Sequence, residues 1–219
     1  MTFVFLASLA LASCGHAKTA MSGGRDELQG RWEKARAPER HCATSMEFLP
    51  DGTLTATDDN ECDVLIASYG IDSSAHPPEL VLEGNRSEYH LSGDELRLTS
   101  GGQTSVLHRA PRSKELAGTL QDLAGSWRGL MWGFTALEVH EDGTAVFEDK
   151  PAVFHVLDGS VSPHRVIITT DEHMSPCIYR VTRDTFTLLC GPFDSHGFPD
   201  SFRQPDGSGL RAVGFYRSK

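Results

Sequence analysis

Along most of the chain apolar residues return at every second position in short runs, as in Tyr89-His-Leu91-Ser-Gly-Asp94-Glu-Leu96-Arg-Leu98. That period belongs to strands with one buried face, and the Gly, Pro, Asn and Asp between the runs mark turns. Asp51-Gly52-Thr53 and Asp142-Gly143-Thr144 read as tight hairpins, with glycine at the position that needs positive φ. Pro77, Pro78 and Pro163 fall between runs, where a missing N–H removes no ladder bond. The polar stretch 111–119 reads as a connector with room for one helical turn. The pattern predicts an all-β protein of antiparallel strands.

The pattern also occurs twice. Leu28-Gln-Gly30-Arg-Trp32 returns as Leu123-Ala-Gly125-Ser-Trp127, and Phe48-Leu-Pro-Asp51-Gly52-Thr53 as Val139-His-Glu-Asp142-Gly143-Thr144. Tyr69-Gly-Ile71 with Val81 returns as Phe154-His-Val156 with Val166, and the Tyr89–Leu98 hairpin as Tyr179–Leu188. Each copy closes on an apolar strand ending in arginine, at Arg109 and at Arg217. A single shared Asp-Gly-Thr would mean little, whereas ordered matches along both halves indicate a duplication.

The order Leu-x-Gly-x-Trp, Asp-Gly-Thr, a Pro-led Val/Ile strand, a Tyr–turn–Leu hairpin and a last strand ending in Arg resembles small bacterial lipocalin-like, calycin-type domains. The segment Phe198-Pro-Asp-Ser-Phe202 is similar to one in tandem-domain members found in exported lipoproteins, with Phe198 standing where those carry an arginine. The resemblance implies two tandem small antiparallel up-and-down β barrels, over 27–112 and 120–219 with a connector at 113–119, and no particular activity.

Residues 1–13 carry no charge and are mostly apolar. The run is too short for a bilayer core, which needs about 20 helical residues, and suits the apolar part of a signal peptide. Leu11-Ala12-Ser13-Cys14 resembles a lipobox, which implies cleavage before Cys14 and a lipid on its sulfur. Residues 14–26 are small and polar, as a flexible tether would be. Gly15 after the cysteine implies, by the same resemblance, the outer membrane's periplasmic leaflet in a Gram-negative envelope.

The other four cysteines fit an oxidising compartment and allow three pairings. Folded about Arg183-Asp184, the run 177–190 sets Cys177 opposite Cys190, on the face that carries Tyr179, Val181, Phe186 and Leu188. Cys42 and Cys62 are similarly placed about Gly52, so the favoured bridges are Cys42–Cys62 and Cys177–Cys190. Paired CxxC or HxxxH spacing is absent, so a structural metal is disfavoured.

The net charge of −10 falls on both halves without a basic stripe, which argues against nucleic acid as a partner. His140, His155, His164 and His173 could gather on neighbouring strands, or scatter through turns as solvated side chains. Scatter is favoured, with His164 and His173 read as loop residues. The acidic run 58–63 lacks EF-hand spacing and reads as a charged turn. Without a nucleophile elbow, a P-loop or an unpaired cysteine left for catalysis, no cofactor, metal or catalytic residue is expected, and an enzyme using a histidine/carboxylate site ranks last. Met131, Trp132 and Phe134 have no aromatic counterparts in the first copy; core filling and a ligand or contact patch at a barrel mouth both fit them. The sequence thus points to an envelope lipoprotein, anchored through its lipid, acting as a non-catalytic binding or interaction module for a protein. The alternative is carriage of a small apolar ligand. Short strands favour filled barrels and so the first.

Overall fold

The computed structural model describes residues 24–35, 44–57, 64–82, 84–130, 134–158, 162–192, 197–203 and 212–218. The first copy runs α1 (Arg25–Leu28), β1 (Gly30–Glu33), β2 (Ser45–Phe48), β3 (Thr53–Thr57), β4 (Val64–Asp72), β5 (Glu79–Leu82), β6 (Asn85–Ser92), β7 (Glu95–Ser100) and β8 (Gln103–Ala110). The second repeats the order as α2 (Leu120–Leu123), β9 (Gly125–Leu130), β10 (Phe134–Val139), β11 (Thr144–Phe147), β12 (Lys150–Asp158), β13 (His164–Thr169), β14 (Met174–Val181), β15 (Thr185–Cys190) and β16 (Ala212–Arg217). Each set closes into an antiparallel up-and-down barrel, β1 pairing with β8 and β9 with β16. The all-β, two-barrel reading holds.

The shared motifs have the same role in both copies. After each short helix the chain turns at a positive-φ glycine, Gly30 at 120° and Gly125 at 128°, and sends its tryptophan into the barrel. Trp32 Nε1 donates to Leu28 O at 2.8 Å and Trp127 Nε1 to Leu123 O at 2.7 Å, so each indole is satisfied by the helix that plugs its barrel. The closing arginine lies across that plug. Arg109 sits 4.2 Å from the Trp32 ring centre and Arg217 4.0 Å from that of Trp127. Each guanidinium also donates to two carbonyls of the helix end, Glu27 and Gln29 in one copy, Asp122 and Ala124 in the other. In both Asp-Gly-Thr turns the aspartate accepts from the threonine N–H, at 3.0 Å for Asp51 and 2.9 Å for Asp142.

The connector, which had room for one helical turn, is extended, and a turn of helix follows it in α2. The reason is tertiary. Leu116 N donates to Val181 O at 2.8 Å, Glu115 bridges to Thr182, and the Tyr179 hydroxyl donates to Gly118 O. On the other side Ser113 N donates to Glu47 Oε1 of the first barrel at 3.2 Å. Edge pairing satisfies backbone groups that a lone turn would leave to water.

The barrels also touch directly. A side chain at Gly214 on β16 would meet Val64 of β4 at 2.5 Å, so only glycine permits this approach. Phe198 and Phe202 lie over the outside of the second barrel with Ile178, Leu189 and Ala212. Arg180 stacks on Phe202 at 4.9 Å and pairs with Asp51 of the first barrel at 2.9 Å.

That pair gives a pH expectation. Burial alone would raise the Asp51 carboxyl; the Arg180 charge and hydrogen bond, helped by Thr53, hold it below its ordinary value. A depressed pKa means that the ion pair's stabilisation is complete above the unfolded carboxylate range and is lost as pH falls through the folded value. The bridge is therefore expected to contribute about 1 kcal/mol at neutral pH and nothing in strong acid. Thermal melts of the parent and of Asp51→Asn at neutral pH and near pH 2 check this. The difference between the two proteins should vanish at the acid end.

Candidate binding cavity

The inward positions of the two barrels correspond one to one through their strand registers. At the end away from the tryptophan plug, Ala56, Ser87, Ser100, Ser105 and Leu107 of barrel 1 match Phe147, Cys177, Cys190, Val213 and Phe215 of barrel 2. Barrel 2 is filled there. Phe186 and Phe215 stack at 5.5 Å, Phe147 meets Phe215 edge-on at 6.5 Å, and the Cys177–Cys190 bridge lies in the same core.

Barrel 1 has the smaller residue at each of these positions, and a cavity of about 60 Å³ lies in that half. Met46, Leu80, Leu82, Leu98 and Leu107 make its wall, with Ser87 and Ser105 among them. Lys34 and Thr44, cross-strand neighbours joined by Lys34 N donating to Thr44 O at 2.9 Å, complete the lining. Lys34 follows Trp32 by two residues, so it lies on the inward side of its strand; its counterpart in barrel 2 is Gly129. Thr44 is 6% exposed, and its Oγ1 has no hydrogen-bond partner among the described residues. Such a hydroxyl costs about 1–3 kcal/mol unless something arrives to pair with it.

The residues singled out from sequence fare differently. Cys177 and Cys190 are opposed in the β14–β15 register and bonded, on the buried face as expected. Cys14, Cys42, Cys62, Met131, Trp132 and the acidic run 58–63 lie outside the described residues, and Phe134 opens β10. The histidines are dispersed. His140, His155 and His173 are exposed in separate places, and among the described residues no three His, Cys, Asp or Glu side chains gather to hold a metal. His164, read as a loop residue, instead opens β13 and is buried against Gly118 and Tyr179, with Nε2 3.2 Å from Leu116 O. It fastens the connector. Burial pushes the neighbouring Tyr179 phenol well up, with a smaller push from the Asp122 charge.

Sequence reading missed Lys34 and Thr44. A position-by-position comparison of the two copies would have shown the small-for-large exchanges behind them. No family model, curated protein or solved structure matches the chain.

Proposed function

We propose that the protein is a non-catalytic binding module in which barrel 1 takes a small, mainly apolar group into its cavity, while barrel 2 is a filled support. The observation that carries this is the cavity itself, found where one copy holds Ala, Ser and Leu and the other holds Phe, Val and a disulfide. This favours ligand carriage over the filled-barrel reading drawn from strand length. The Leu11-Ala12-Ser13-Cys14 tetrad supports display from the envelope membrane through a lipid on Cys14.

The test transplants the filling. Ser105→Val with Leu107→Phe gives barrel 1 the side chains that barrel 2 carries at these positions. In a Cys14→Ser background, expected to move from the membrane to the soluble fraction, the parent should bind a small apolar probe such as 1-hexanol. The filled variant should fold and lose at least tenfold in affinity. Equal binding by both would overturn the assignment to this cavity, and continued membrane fractionation of Cys14→Ser would overturn the anchor.

A further inference from the structure

The wall of the barrel 1 cavity is aliphatic, made by Met46 and the leucines at 80, 82, 98 and 107. Among the described residues no aromatic ring lines it, whereas Phe147 and Phe215 meet edge-on in the corresponding half of barrel 2. Such a wall offers dispersion contacts to methyl and methylene groups and no ring face for an aromatic guest to stack on. Little polar surface reaches the cavity, so a polar atom carried into it gives up water for few partners.

Volume sets the second limit. An apolar cavity of about 150 Å³ accommodates a benzene ring, and each water-sized group needs roughly 15 Å³. At about 60 Å³ the barrel 1 cavity lies well below the ring and holds about two to four carbons. Leu80 and Leu107 are only 0% and 2% exposed, so the core of the barrel fixes the deep wall, which yields little to a wider guest.

We propose that the cavity of barrel 1 gauges saturated hydrocarbon by size: it takes an acyclic alkyl end of about two to four carbons and turns away rings and polar ends. The assignment rests on the binding reading above and narrows it to a ligand class. The space belongs to the first copy alone, because the second fills the same positions with its own rings.

The probes are the straight-chain alcohols from ethanol to 1-hexanol, with cyclohexanol and 1,4-butanediol as contrasts. They are used at millimolar concentration, since so few buried carbons support dissociation constants of roughly that size. The protein is the full chain carrying Cys14→Ser, prepared without detergent so that no surfactant competes. Binding is followed through the methyl resonance of Met46 in the cavity wall, and the Trp32 indole N–H reports that the barrel is intact. Affinity is expected to rise about fourfold for each carbon up to 1-butanol, the gain of one buried methylene, and to change less than about twofold from there to 1-hexanol. Cyclohexanol, equal to 1-hexanol in carbons but wider, should bind about tenfold more weakly than it. The diol, with a hydroxyl at the end that must enter, should bind about tenfold more weakly than 1-butanol. Leu82→Ala, which shortens a partly buried part of the wall, should admit cyclohexanol. If 1-hexanol binds but the gain continues past four carbons, or the ring or the diol binds as well as its straight-chain partner, the size assignment fails and the cavity reading stands. Unchanged rejection of cyclohexanol by a folded Leu82→Ala would likewise overturn it. If no probe moves the Met46 signal, both fail.

Discussion

Replacing Cys177 with serine is expected to lower the stability of barrel 2 by about 2–4 kcal/mol under oxidising conditions. The bridge closes a segment with a sequence separation of 13, and opening it returns that loop's freedom to the unfolded chain. The site adds a second cost. Cys177 is fully buried in the aromatic core, so a serine hydroxyl there faces Tyr179, Val166 and their neighbours in place of a sulfur that fills space. The two contributions separate experimentally. Cys177→Ala with Cys190→Ala removes the bridge without burying a hydroxyl, and should be destabilised by less than Cys177→Ser. Reducing the parent should approach the double variant. Denaturant melts in the presence and absence of reductant measure all three, and a Cys177→Ser protein that melts with the oxidised parent would overturn the argument. The effect should stay in barrel 2, because Ser87 and Ser100 occupy the equivalent positions of barrel 1.

The strands, the duplication and this bridge were legible because they depend on local alternation and on the geometry of one hairpin. In the run 177–190, side-chain parity and turn position together determine which residues oppose, and no distant contact is needed to read them. The cavity was not legible from strand length. It depends on how inward residues from eight strands add up once the barrel closes, and Ala56 or Ser105 looks ordinary until it is set beside Phe147 or Val213. His164 was misread for a related reason. Following Pro163, it has the local signature of a turn, and its burial comes from the connector crossing over it, a contact formed with Leu116, 48 positions earlier in the chain. Arg109 and Arg217 were visible as the end of each repeat, but their stacking on the tryptophans joins the last strand to the first and leaves no local trace.

Those arginines carry the second large expectation. Arg217→Ala should destabilise barrel 2 by about 2–4 kcal/mol, and Arg109→Ala should cost barrel 1 about half as much. Arg217 donates to Asp122 O and Ala124 O, both at 2.7 Å, and to Arg183 O at 3.0 Å, while stacking on Trp127. Arg109 makes longer bonds, 3.1 and 3.2 Å, and its side chain is 37% exposed. Removing Arg217 leaves the end of α2 with unpaired, partly buried carbonyls; removing Arg109 leaves carbonyls that water reaches more easily. Lysine should rescue neither fully, since one ammonium cannot reproduce a planar fork that stacks and donates at once. The glycines give an independent check. A Cβ at Gly125 would lie 2.8 Å from Arg217 Nη1, against 3.3 Å between Gly30 and Arg109, and both backbones have the positive φ that side chains resist. Gly125→Ala should therefore reproduce most of the Arg217→Ala loss with the arginine still present. The indole N–H resonances of Trp32 and Trp127 report the two barrels separately, because each donates to its own plug helix. Hydrogen exchange at Trp127 should accelerate by at least tenfold in Arg217→Ala, with a smaller change at Trp32. Equal losses from the two arginines, or full rescue by lysine, would mean that the plug is held by the tryptophan's burial alone and that the arginine merely covers it.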